Sequence, residues 1–150
     1  MPEPRLILHV ENDTDDVFVT QRAFMKAGVE AQINAVGNGE QAVAYLLGEG
    51  KYANRGDYPL PSIIILDWNM PLMSGGEFLA WRQNQPAMRR IPVVVLTSSS
   101  NEKDVAAAYE LGSNGYVIKP SNLSGLQALA RAFADFWLKW NHAEPFLSLG

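Results

Sequence analysis

The side chains able to do chemistry stand at the ends of short apolar runs. "RLILHV" is followed by Glu11, Asn12, Asp13, Asp15 and Asp16, "SIIIL" by Asp67, "IPVVVL" by Thr97 and Ser98, and "GYVI" by Lys119. Carboxylates, a hydroxyl and a lysine brought to one place suit a hard cation together with a phosphoryl group. Carboxylate oxygens hold Mg2+, while Lys and the hydroxyl neutralise or bond phosphate oxygens. An aspartate directly after "IIIL" stands at the rim of a dry sheet, where it can act as a nucleophile and form an aspartyl phosphate. Each residue also has a plainer reading. Asp67 could cap a loop, Thr97 and the serines could cap the next helix, and Lys119 could reach into water. Asp13, Asp15 and Asp16 complement the dipole of a helix beginning there. What is specific is their joint occurrence, each at a strand end, in order.

The elements that must position them follow from hydrophobic periodicity. Strands are expected over 5–10, 31–36, 62–67, 91–97 and 115–119, and helices over 16–28, 37–47, 75–84, 101–112 and 121–141. The segment 49–61 reads as a long polar loop. Strict alternation of strand and helix implies an α/β fold, (βα)5, with a parallel sheet covered by helices on both faces. In such sheets sites form at the carboxyl ends of the strands. Glu11, Asn12, Asp67, Thr97 and Lys119 therefore converge on one crevice.

At 150 residues the chain is one ordinary domain, able to bury roughly 70% of its unfolded surface. It has no cysteine, hence no disulfide framework or thiolate zinc site, which leans towards a reducing compartment, and the cytoplasm is the expected location. The first ten residues lack the basic and long apolar regions of a signal peptide, and no run approaches a membrane span. A net charge of -4 with no Lys/Arg stripe gives no attraction to nucleic acid.

The chain resembles a response-regulator receiver domain, the CheY-like fold, in the acidic cluster after strand 1, "NGEQAVAYL", "ILDWNMPLMSGGEFL", "VVVLTSS" and "GSNGYVIKPS". The resemblance covers 5 to about 140 and implies a doubly wound sheet of strand order 2-1-3-4-5, with a receiver domain over 1–141 and a tail over 142–150. It implies that Asp67 takes a phosphoryl group from a histidine-kinase phosphohistidine, that Thr97 bonds it and that Lys119 pairs with it. Glu11, the position of Asn12, Asp67 and the carbonyl of Asn69 would form the Mg2+ shell. Tyr116 matches the aromatic switch that turns inward when Thr97 moves, and the Lys119–Pro120 peptide is expected cis.

Two positions depart from the family pattern. Asn12 stands where a directly ligating acid is usual, so metal affinity should fall without vanishing. Asp13 is a poor substitute because strand-end side chains alternate in direction. Ser74 replaces an Asp before Gly75, which concerns turn geometry more than chemistry.

The 49–61 loop and the "FWL" of the last helix resemble the single-domain regulators that partner bacterial phytochromes. Leu126, Leu129, Ala130, Phe133, Phe136, Trp137 and Trp140 form one apolar stripe on a helix ~30 Å long, which should overhang strands of ~17–20 Å. A homodimer through this helix and the tail is expected to cover the aromatic end. The expected function is a phosphorylation-controlled switch, not an enzyme, with its output in another protein. The alternative is a degenerate receiver serving as a phosphorylation-independent scaffold, supported by Asn12. Flavodoxin-like and haloacid-dehalogenase-like readings fit poorly: the loop after strand 1 is acidic, and position 69 is Asn rather than Asp.

Overall fold

A computed structural model describes residues 5–142. Five parallel strands, β1 (Leu6–Val10), β2 (Gln32–Val36), β3 (Ile63–Leu66), β4 (Val93–Thr97) and β5 (Gly115–Ile118), form one sheet in the order β2-β1-β3-β4-β5. Between and after them run α1 (Thr14–Lys26), α2 (Gly39–Leu47), α3 (Gly75–Gln83), α4 (Glu102–Glu110) and α5 (Leu123–Phe133). The expected (βα)5 order and sheet topology are both found.

Burial explains the strand sequences. β1, β3 and β4 are buried at every position, which requires the near-continuous β-branched runs of a sheet covered twice. Leu8, Val10, Ile64, Leu66, Val93 and Val95 pack towards α2, α3 and α4 through Tyr45, Phe78 and Ala108. Ile7, Ile63, Ile65, Val94 and Leu96 face α1 and α5 through Phe24, Ala130 and Phe133, with Phe24 and Phe133 meeting edge to face at 5.7 Å.

The helix starts show why the punctuation residues lie where they do. Asp13 caps α1 by accepting from the N–H of Asp15 and of Asp16, Asn38 caps α2, and Ser74 caps α3 in a reciprocal box with Glu77. The expectation that Ser74 concerns turn geometry agrees with this cap.

Two expectations are corrected. The segment 49–61 is not simply a polar loop. It opens with a 3-10 turn (Gly50–Ala53) and packs Tyr52 and Tyr58 around Tyr45 with ring centroids 5.1 and 5.9 Å away. Arg55 donates from its guanidinium to the carbonyls of Tyr45 and Leu46, satisfying the orphan end of α2.

The last helix is not one α-helix over 121–141. α5 stops at Phe133 and continues as a π-helix over Ala134–Trp140, closed by the Asn141 N–H bonding to the Phe136 carbonyl. Wider turns rotate the apolar stripe. Ala134 and Leu138 are buried, whereas Phe136 and Trp140 are 52% and 73% exposed. Residues 143–150, almost all of the expected tail, lie outside the described residues. No helix among the described residues is long and apolar enough to cross a membrane.

At the pole of the sheet away from the strand carboxyl ends, the buried guanidinium of Arg82 donates to the carbonyls of Arg89, Ile91 and Gly112 and to Asn114 Oδ1. This clamp ties the end of α3 to the segments entering β4 and β5. A single cation thus joins the entries of the two strands that deliver Thr97 and Lys119.

Candidate functional site

The sheet register brings the carboxyl ends together. Val10 stands opposite Leu66, and the Asp67 N–H continues the ladder by donating to the Val10 carbonyl at 2.9 Å. Glu11 and Asp67 therefore leave adjacent strands side by side. On the other flank Thr97 lies opposite Ile118, and the Lys119 N–H donates to the Thr97 carbonyl at 2.8 Å. Glu11, Asp67 and Thr97 are all buried.

Lys119 crosses the crevice. Its Nζ lies 3.1 Å from Glu11 Oε1 and 3.2 Å from Asp16 Oδ2. Burial pushes the Glu11 carboxyl above its ordinary value, the charge of Asp67 pushes it further, and Lys119 opposes both. Burial alone would lower the Lys119 ammonium, but Glu11 and Asp16 outweigh it and hold it above its usual range. Two like charges beside each other in a buried setting create demand for a cation, and Lys119 meets part of it. The donor set fits a divalent ion with oxygen ligands, since Glu11 and Asp67 supply hard carboxylate oxygens side by side. Among the described residues no three His, Cys, Asp or Glu side chains cluster tightly enough to hold a metal alone. Asn12 and Asn69 are exposed at the rim.

The loop between β3 and α3 is held by close backbone approach. The Gly75 N–H donates to the Trp68 carbonyl, and a Cβ on Gly75 would lie 2.6 Å from the Asp67 carbonyl oxygen. From the other side the Gly39 N–H donates to the Met73 carbonyl, and a Cβ there would lie 2.6 Å from Met73 Cγ. Leu72, between these anchors, has φ of 66°. Glycine is required at both anchors because no side chain fits, so α2 and α3 jointly set the shape of the loop carrying Asn69.

Tyr116 is half-buried, and its hydroxyl donates to the Ser99 carbonyl at 2.8 Å. It is thereby tied to the loop that follows Thr97. Ser99 Oγ in turn donates to Asp104 of α4.

The cis expectation for Lys119–Pro120 is overturned: no described peptide bond is cis. The isomers of an X–Pro bond differ by only ~0.5–1 kcal/mol, so surrounding contacts decide, and here the trans peptide delivers Lys119 to both carboxylates. Asp13 is committed to capping α1, as its direction required. Asp16 is the residue that sequence reasoning assigned to the helix dipole alone. Its position in the second half of "NDTDD", about one helical turn beyond Asn12, was the available signal.

Residues 7–131 match the model of the response regulator receiver domain. The chain is 38% identical to the response regulator Rcp1 of Synechocystis over 91% of its length and 90% of that protein. It superimposes on the phosphorylated cyanobacterial phytochrome response regulator RcpA with a TM-score of 0.86 at 37% identity, covering 95% of this chain and 99% of that one. It also superimposes on the Mn2+-bound form of Rcp1 with a TM-score of 0.82 at 36% identity, covering 95% of this chain and 100% of that one.

Proposed function

This chain belongs to the response regulator receiver family of two-component signalling, and from that premise we propose that Asp67 is its phosphoacceptor and a phytochrome-type sensor histidine kinase its donor. Transfer breaks the N–P bond of a phosphohistidine and forms an O–P bond at an Asp67 carboxylate oxygen, and the imidazole departs with the electron pair. Thr97, buried at the end of β4, bonds a phosphoryl oxygen through its hydroxyl, and the Lys119 ammonium neutralises another. The observation that carries this reading is the buried Asp67–Glu11 pair, whose outer edge Lys119 already spans. Glu11, Asp67, the Asn69 carbonyl and, more weakly, the Asn12 amide oxygen would hold Mg2+. When bound, Mg2+ supplies positive charge to the transferring group. A relative of this chain has been solved with Mn2+, which supports a divalent site.

Once Thr97 engages the phosphoryl group, the loop after β4 is drawn towards the crevice. Tyr116, bonded to Ser99 on that loop, moves with it. The chain acts as a switch rather than as an enzyme, its changed surface being the output.

A second reading, a phosphorylation-independent scaffold, rests on Asn12 alone. The test is a titration with Mg2+ and then beryllofluoride or acetyl phosphate, followed by tryptophan fluorescence, to which Trp68 beside Asp67 contributes, and by intact mass, in native protein and Asn12→Asp. Native protein is expected to bind Mg2+ and to form an adduct. Asn12→Asp is expected to bind Mg2+ about tenfold more tightly, a modest gain for a full charge because position 12 is exposed and screened. A native protein inert to both reagents beside a responsive Asn12→Asp would establish the scaffold.

The assembly is a homodimer through the π-helical end; the tail expected to share in it lies, from 143 on, outside the described residues. Exposed Phe136 and Trp140, the first edge to face with Trp137 and the second beneath the Lys139 ammonium, supply an apolar patch suited to a two-fold contact. Sedimentation of native protein should give a dimer and that of Phe136→Ser/Trp140→Ser a monomer. A native monomer, with and without beryllofluoride, refutes this assembly.

A further inference from the structure

We infer that Asp16 is a positioning residue for the cation site: it holds Lys119 so that a divalent ion can take Glu11, and it replaces from α1 part of the charge that Asn12 omits. The inference rests on the phosphoacceptor reading given above.

The two carboxylates that hold Lys119 differ in kind. Glu11 is the buried partner, with its side chain 2% exposed, whereas the Asp16 side chain is 44% exposed. A dication entering beside Asp67 competes with the Lys119 ammonium for Glu11. If Glu11 were the sole partner of Lys119, each ion bound would strand a half-buried ammonium. Asp16, at the same distance on the outer side, keeps that ammonium paired while Glu11 turns inward. The charge count agrees. Glu11, Asp67 and Asp16 against Lys119 leave a net of two negative charges, which matches a dication despite the neutral amide at position 12. Asp16 can serve because Asp13 has taken over the capping of α1 through the N–H groups of Asp15 and Asp16, which leaves the Asp16 carboxylate uncommitted to the helix end.

Asp15 provides the control. It lies in the same first turn, contributes the same charge to the helix dipole, is exposed, and takes no part in the Lys119 pair. Mg2+ titrations at low ionic strength, followed by tryptophan fluorescence, should give a Kd about three- to fivefold higher in Asp16→Asn than in native protein, the range of a partly exposed ion pair. Asp15→Asn should leave the Kd unchanged, Asp16→Glu should restore most of the loss, and the difference should shrink in high salt. Thermal melting of Asp15→Asn and Asp16→Asn should be alike, which separates positioning from stability. An unchanged or lower Kd in Asp16→Asn, or an equal loss in Asp15→Asn, overturns the inference. If native protein binds no Mg2+, the phosphoacceptor reading fails by itself. The same comparison is then made in the Asn12→Asp background, where the ratio with and without Asp16→Asn still decides the role of Asp16.

Discussion

Asp67→Asn takes no phosphoryl group from acetyl phosphate or from a phosphorylated kinase, and intact mass shows the unmodified chain alone. The substitution keeps shape and removes only the anionic oxygen that attacks phosphorus in the proposed transfer. The fold is retained because the backbone N–H at this position, not the side chain, completes the ladder to Val10. One consequence distinguishes a functional aspartate from a structural one. Asp67 contributes the like charge that, after burial, holds the Glu11 carboxyl above its ordinary value. Removing that charge relieves a repulsion, so Asp67→Asn unfolds at a higher urea concentration than native protein at neutral pH. A phosphoryl adduct in Asp67→Asn would move the acceptor elsewhere, and a large loss of stability would make Asp67 a structural residue.

His9→Leu flattens the acid side of the stability profile. His9 lies on β1 two residues before Glu11, on the α1/α5 face, and is buried, with no hydrogen-bond partner for its Nδ1. Burial first and the Lys119 charge second lower its pKa from 6.5 to about 4, with Asp16 partly offsetting them. Because the folded value is the lower one, the unfolded chain binds more protons between these two values. The resulting stability is therefore fully present above pH 6.5 and is lost as pH falls towards 4. The linkage amounts to about 2 kcal/mol by pH 5 and about 3 kcal/mol in full. Urea unfolding of native protein and His9→Leu at pH 7 and pH 5 isolates this term, because the other titrating groups are common to both. The native protein should lose about 2 kcal/mol more than the variant. Parallel losses would mean that His9 is not held neutral by the fold.

Much of this was legible from sequence, for physical reasons that differ along the chain. Strands such as "IIIL" and "VVVLT" announce themselves because a doubly covered sheet admits little else. The ends of those strands locate Glu11, Asp67, Thr97 and Lys119 without any coordinates. Asp16 was legible only in part. A first-turn acid is sufficiently explained by the helix dipole, and its partner lies 103 residues away, a separation that local pattern cannot see. The tyrosine cluster of 50–58 was hidden because Tyr52 and Tyr58 sit among Gly, Asn and Asp, so a packed lobe has the composition of a loop. Gly39 falls at the start of the helix expected over 37–47, with nothing local to mark it. Its approach to Met73 depends on where α2 is carried by a strand pairing that the helix start itself does not specify.

The π-helical end of the last helix has its own consequence. A π turn contains one residue more than an α turn, so Ala134–Trp140 behaves as a stretch of chain that has absorbed surplus length without expelling a loop. Counted in α turns, Phe133, Phe136, Trp137 and Trp140 share a face. Counted as they are wound, Phe133 stays with the core while Phe136 and Trp140 turn away from it. The direction of Phe136 and Trp140 is therefore decided by how many residues precede them rather than by which ones. A change of one residue in length there would redirect that surface with every side chain retained.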